Sequence, residues 1–380
     1  MDKYTYPQPL YLLLFAIAIF EASLFCLPPR SLYRAATIAL LAAVTYSFQL
    51  SLLEYFANRA FLSLALGATW TTFLNAFEIL IVSNVSPQDP GLHLANPGNP
   101  TSQAFRAATL PFHWRRIGTK WQVKAPASTE DGSITGRVRF LFKTLGVLTV
   151  CYLVIDLCAA GPPPDPSMIA REKQTISYLF ASNSEDVGFR VVTTIVFLIN
   201  AALGVIGVHS LLAIVAVLCG DQPQNWPHIW QGWPSQAYSV RRFWGNYYHQ
   251  GLRKALSGPA DWIIDLVLPR GNLISRYSRL TLAFFLSALL HHQAERSETG
   301  QLIFFSSQAL GIMLEDTVYK LYSFSPIQLP RRIEHALGYL WVLVWLLCLV
   351  PYWSYSTMRV IDDPVRDQAT FEIFKKVLPK

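Results

Sequence analysis

An all-α polytopic membrane protein is the fold class this sequence predicts, on three observations. Of its 380 residues, 52% are hydrophobic. Only 14% are charged, against roughly 25% in an average soluble domain. Several apolar runs approach the roughly 20 residues a helix needs to cross a hydrocarbon core. Helices are the form such runs must take, because a bilayer offers no water to unpaired backbone groups. The 11 Trp, 17 Tyr and 23 Phe suit both interfacial belts and a lined cavity.

In order, the candidate spans are residues 9–27, 33–53, 61–83, 138–159, 189–219, 278–296, 302–322 and 335–357, about eight in all. The run 9–27 lacks a small-residue cleavage site and reads as a retained first span. The run 189–219 is long enough to be tilted, or to be broken near Gly204 and Gly207. Charge orients the spans. Arg30 and Arg34 follow the first, residues 105–143 carry Arg106, Arg115, Arg116, Lys120, Lys124, Arg137, Arg139 and Lys143, and residues 221–279 form a third basic loop. These fall on one side of an eight-span arrangement, which makes that side cytosolic and leaves the sequon at Asn84 unused. The net charge of +7 therefore reads as topology and headgroup contact rather than nucleic-acid binding. Cys26, Cys151, Cys158, Cys219 and Cys348 show no CxxC or Cys/His zinc spacing, so they read as structural thiols and no metal is expected.

The chain is thus expected to form one membrane-embedded domain over residues 1–380. It comprises N-terminal spans (1–83), a cytosolic interfacial loop (84–137), a core carrying the chemistry (138–322), and a last span with its tail (323–380). Turn formers at Pro87, Pro90, Gly91, Pro97, Gly98 and Pro100 open the loop. Residues Pro111 to Trp121, with two tryptophans flanked by arginines, suit a segment lying at headgroup level.

Two segments carry unusual chemistry. His291 and His292 lie in an apolar run, where ionisable side chains are functional candidates by default. Adjacent helical residues point about 100° apart, so the two cannot share one job. Residues 226–250 are too polar to span and too aromatic for an ordinary solvated loop. Read as a re-entrant or interfacial helix, they place Asn246 and His249 one turn apart beside a stripe of Phe243 and Tyr247. Glu315 and Asp316, in the seventh run, demand partners: an arginine or a neighbouring helix end is at least as good a reading as substrate. Asn75 and Glu78 in the third run are ambiguous in the same way.

Phe243-Trp244-Gly245-Asn246-Tyr247-Tyr248-His249-Gln250 resembles the FWG-x-x-W-H-Q block of wax-synthase-like membrane-bound O-acyltransferases, particularly the fungal branch. Ser287-Ala288-Leu289-Leu290-His291 is similar to that family's S-G-x-x-H block. Gly311 to Asp316 is similar to its G-x-x-x-E-D block, and Arg116 to Trp121 to an R-G-I-G-T-x-W stretch. Four blocks in order over residues 115–316 are fairly specific, though each alone would be weak. Ala288 and Tyr248 depart from the usual Gly and Trp, and His292 stands where glutamate is frequent.

The resemblance implies transfer of an acyl group from a thioester to an alcohol inside a central tunnel, without a covalent enzyme intermediate. His291 would be the general base, a task suited to an imidazole whose unperturbed pKa is near 6.5. His249 would orient the donor or polarise its carbonyl, with Trp244, Asn246, Tyr248 and Ser287 lining the site. Arg241 and Arg242 would meet the phosphates of coenzyme A, and His292, Glu315 and Asp316 would support the site from behind. No bound cofactor is expected. Acyl-CoA, most simply acetyl-CoA, is the co-substrate, and a lipophilic hydroxylated terpenoid or meroterpenoid-like acceptor is the first choice over a fatty alcohol giving a wax ester. The setting implied is the endoplasmic reticulum membrane with the donor entrance facing the cytosol. Two other classes are weighed. A transporter would use Asn75, Glu78, Glu315 and Asp316, but no inverted repeat is visible. A haem held by His249 and His291 would give a coloured protein.

Overall fold

The computed structural model describes residues 6–56, 58–89, 100–123, 130–230, 232–326 and 328–360. The turn formers between Pro90 and Gly98, and Lys124, lie outside them. The chain is helical, with no strand among the described residues. It divides into two compact units: Met1–Tyr152 with Val205–Ile229 and Gly251–Ile263, and Leu153–Gly204 with Trp230–Gln250 and Ile264–Lys380.

In the first unit, α1 (Pro9–Cys26) packs on α2 (Leu32–Tyr55), and α2 on α3 (Arg59–Phe77). Pro9 opens α1 at a position where its missing N–H has no partner to lose. Ser31 and Asn58 cap α2 and α3 by accepting from Arg34 N and Phe61 N. The helix α3 then widens into a π-turn, Glu78–Val82. After α4 (Pro100–Thr109), the apolar core of Phe20, Leu24, Leu41, Ile79, Leu80, Ala107 and Leu110 is complete.

Four arginines that read as markers of the cytosolic side are instead buried. Arg34 is 0% exposed and donates to the carbonyls of Leu24, Leu27 and Val85, closing the end of α1. Arg116, also 0% exposed, pairs with Glu78 and reaches Asn75 Oδ1 at 3.1 Å. Glu78 further accepts from Ser83 Oγ at 2.6 Å and lies 3.4 Å from Lys254 Nζ, so the ambiguous pair of the third run is tied up inside the unit. Arg106 and Arg115 reach Asp221 and the carbonyl of His228. Asp221 also takes His113 Nε2 at 2.8 Å, Asn225 Nδ2 at 2.7 Å and Trp226 Nε1 at 2.9 Å. Burial alone would raise the Asp221 carboxyl, but these donors and Arg106 hold it well below the usual carboxylate range. His113 is pushed down, by burial first and then by Arg106, so it stays neutral and donates. Residues 111–121 form a partly buried series of turns, with Arg116 and Gly118 at positive φ. Their cations have internal partners, which a headgroup would otherwise supply. Asn84 donates Nδ2–H to the Ile81 carbonyl and accepts from Arg30 N.

The run 189–219 is one helix, α6 (Ser184–Leu218), unbroken at Gly204 or Gly207. It follows α5 (Ile134–Ala159). The remaining helices are α7 (Val240–Arg242), α8 (Arg253–Asp265), α9 (Leu273–Glu295), α10 (Gly300–Tyr322) and α11 (Arg331–Met358). In the second unit α10 packs against α9, α11 and α7. A Cβ on Gly300 would sit 1.9 Å from the Tyr352 carbonyl oxygen, so glycine is what allows α10 to start against α11.

Among the described residues seven helices are long and apolar enough to cross a membrane, where about eight were expected. The difference is α10. Its 23 residues give a length of about 35 Å, but Gln301, Gln308, Glu315, Asp316 and Lys320 dilute its hydropathy. Gln301, Gln308 and Glu315 are spaced by sevens and buried, forming a polar stripe turned into the unit. None of the five cysteines is in a disulfide.

Candidate functional site

The site is built within the second unit, where the segment 230–250 and the helices α9, α10 and α11 share one aromatic core. Ser239 caps α7, its Oγ accepting from Arg242 N at 3.1 Å. The chain then passes into a π-turn, Phe243–Tyr247, closed by Tyr248 N–H to the Phe243 carbonyl at 2.7 Å. Tyr248 is extended (φ −69°, ψ 164°), so the helix expected through residues 243–250 stops before His249. Asn246 and His249 are therefore not one helical turn apart, and Asn246 is exposed. Gln250 fixes the break by donating to the carbonyls of Trp244 and Tyr248. A Cβ on Gly232 would lie 2.2 Å from Tyr247 Cα and 2.4 Å from the Asn246 carbonyl oxygen. Only a glycine lets that strand of backbone lie against the π-turn.

The acidic pair on α10 positions the turn. Glu315 accepts from the backbone N–H groups of Val240 and Arg241 and from Trp341 Nε1 at 2.9 Å, which is the helix-end reading of this residue. Asp316 takes Arg241 Nη2 at 2.6 Å, Arg276 Nη2 at 3.0 Å and the Tyr277 hydroxyl at 3.0 Å. Arg241 thus already has an anionic partner. The Arg242 guanidinium lies over the Tyr238 ring at 4.5 Å. About two turns back on α10's buried stripe, Gln308 Oε1 accepts from both Trp244 Nε1 and Trp345 Nε1 at 3.1 Å.

From these fixings comes a continuous aromatic wall. Trp230 stands 4.6 Å from Tyr248 and 6.2 Å from His249, centroid to centroid. Tyr248 packs 5.0 Å from Trp244, and burial pushes its phenol up, so it keeps its proton. Trp244 stands 6.1 Å from Phe305, and Phe305 stacks on His291 at 4.3 Å with only 8° between the planes. Trp353 covers another side of the imidazole at 5.0 Å and 61°. His249 stands 4.7 Å from Tyr248, centroid to centroid, so both histidines edge this one wall.

The structure thus gathers His291, His249, Trp244 and Tyr248 and leaves Asn246 at the surface. Ser287 is buried one turn before His291 on α9. His292 is half-buried, with its Nδ1 enclosed and without a hydrogen-bond partner. Sequence reasoning passed over Phe305, Gln308, Trp353 and Glu295. The first three read as ordinary core of an apolar run. Glu295 carried a usable signal, an acid four residues after a candidate base and so on the same helix face.

The family model described as membrane bound O-acyl transferase matches residues 226–307, which contain both histidines of the wall. Acetyltransferase ataH of Aspergillus terreus is 29% identical over 298 residues, covering 73% of this chain and 97% of that protein. Acetyltransferase aurG of Calcarisporium arbuscula is 30% identical over 266 residues, 65% of this chain and 63% of its own. Acetyltransferase spyB of Aspergillus fumigatus is 28% identical over 283 residues, 66% of this chain, and this chain spans about half (47%) of its length. No solved structure matches. An all-helical, membrane-type fold, the matched interval around His249 and His291, and these fungal relatives agree in what the chain is similar to: the membrane-bound O-acyl transferases.

Proposed function

We propose that this protein transfers an acetyl group from acetyl-CoA to a hydroxyl of a lipophilic acceptor, with His291 as the general base. The observation that carries the reading is the aromatic wall: His249 and His291, two histidines far apart in sequence, both pack against one connected run of aromatic rings. Neutral His291 takes the proton as the acceptor oxygen attacks the thioester carbonyl. The new C–O bond forms, the C–S bond breaks, and the proton passes to the departing thiolate, giving ester and free coenzyme A. His249 aligns the donor and polarises its carbonyl, a contribution of the kind that preorganised donors make to a developing oxyanion. Trp244, Tyr248 and Ser287 line the donor site, and Arg242, with Arg241 when Asp316 releases it, meets the phosphates of coenzyme A.

Acetyl is chosen because the relatives compared here are named acetyltransferases. The acceptor is lipophilic because rings rather than charges surround His291; a hydroxylated terpenoid or meroterpenoid fits best. The whole chain works as one acyltransferase domain in the endoplasmic reticulum membrane, with the donor entering from the cytosol. The test is a donor series in microsomes containing the protein, with acetyl-, malonyl- and palmitoyl-CoA offered to terpenoid alcohols and to hexadecanol. Acetyl esters of the terpenoid alcohols are expected. Palmitoyl esters of hexadecanol alone would replace this reading with a wax ester synthase.

A further inference from the structure

Glu295 ends α9 one turn beyond His291, so both side chains rise on the same face of the helix. A carboxyl at the end of an apolar span is costly to bury and is kept where it has partners. This one accepts from Trp353 Nε1 at 2.6 Å and Thr357 Oγ1 at 2.6 Å, both on α11, and from Gln301 Nε2 at 2.9 Å on α10. Thr357 also donates to the Trp353 carbonyl, and Gln301 to Ser297, so each has a second acceptor. Among the described residues, the Trp353 indole N–H has the carboxyl alone as acceptor. That indole is the ring standing 5.0 Å from His291 and 4.9 Å from Phe305, so the indole, the imidazole and the Phe305 ring it stacks on form one three-ring cluster. Phe197 and Phe304 pack on Trp353 at 4.8 and 5.1 Å but bring no polar group to fix its rotation.

We infer that Glu295 is a positioning residue for His291: by anchoring the Trp353 N–H, it fixes the indole that stands across the imidazole and stops it sliding over the Phe305 ring on which it stacks. This rests on the acyl-transfer reading for its consequence, though not for its geometry. A base works only within about 2.6–3.2 Å of the proton it removes, and productive sites hold their groups to within roughly 10–20°. A ring held by stacking alone slides in its plane. Pinning one neighbour removes that freedom.

The test uses the full chain in nanodiscs with two readouts. The first is carbethoxylation of His291 and His249 by diethyl pyrocarbonate, followed by peptide mass spectrometry without substrate. The second is kcat and KM for acetyl transfer. Glu295→Ala and Trp353→Phe are each expected to change the His291 modification rate about threefold or more, leave His249 unchanged, and lower kcat about 10–100-fold with KM for acetyl-CoA little altered. Glu295→Gln keeps an oxygen for the indole and is expected within about fivefold of wild type in both readouts. The combined Glu295→Ala/Trp353→Phe protein should be no worse than either single variant, because both break one link. An unchanged His291 rate in well-folded Glu295→Ala protein would overturn the inference. So would equal changes at His249, or Gln and Ala variants that fail alike. A wild-type protein that transfers no acetyl group would sink the activity reading instead, and the modification rates would still decide the role of Glu295.

Discussion

Arg116 illustrates how one charged side chain can organise a membrane-type interior. Its guanidinium is fully enclosed and meets the Glu78 carboxylate and the Asn75 side chain. Burial lowers its pKa while Glu78 opposes the shift. Such a pair is weak evidence for net stability, but removing Arg116 leaves the buried Glu78 with Lys254 Nζ, at 3.4 Å, as its remaining cation, a loss approaching about 3–5 kcal/mol. Arg116→Met is therefore expected to lower the thermal midpoint in detergent steeply, and Arg116→Met/Glu78→Met to recover much of the loss. A double variant as unstable as the single would show that the guanidinium's packing matters rather than its charge.

At the scale of the element, the informative piece is the π-turn Phe243–Tyr247, which holds Trp244 and Tyr248 between Gln308 and Trp230. The approach of Gly232 to residues 246 and 247 is a backbone-to-backbone contact, which no rotamer change can relieve. Gly232→Ala is expected to destabilise the protein by about 2 kcal/mol or more and to abolish the turn. Gly245→Ala adds a Cβ into open space and should leave the melting temperature within about 2 °C. Equal melting temperatures for the two variants would contradict the close approach.

The helices were legible because apolar length is a local property of sequence, and the boundaries of α1, α2, α9 and α11 fall close to the runs that announce them. The end of the helix at Tyr248 was not legible. Tyr248 is a common enough residue in a helix, and its extended backbone is held by Gln250 and by the packing of Trp230, contacts local propensity does not encode. The buried arginines were illegible for a related reason: positive charge near a span marks the cytosolic side on average, while Asp221 and Glu78, far away in the chain, reclaim these particular ones.

At the scale of the molecule, the account joins a helical membrane fold to a paired-histidine site lying inside the interval matched by the acyltransferase family. Fold and similarity to the acyltransferases bring the chemistry close, but the proposal that gives the molecule its function is that His291 takes the acceptor's proton. Removal of a general base costs about 10²–10⁴-fold, whereas a merely structural histidine would cost stability and leave turnover per folded molecule intact. The most direct test incubates purified wild-type and His291→Ala proteins, matched for folded amount, with radiolabelled acetyl-CoA and a hydroxylated terpenoid, and counts organic-soluble label. The account predicts labelled ester from the wild type and at least about a hundredfold less from the variant. Equal label from both would remove His291 from the chemistry and contradict the account at its centre.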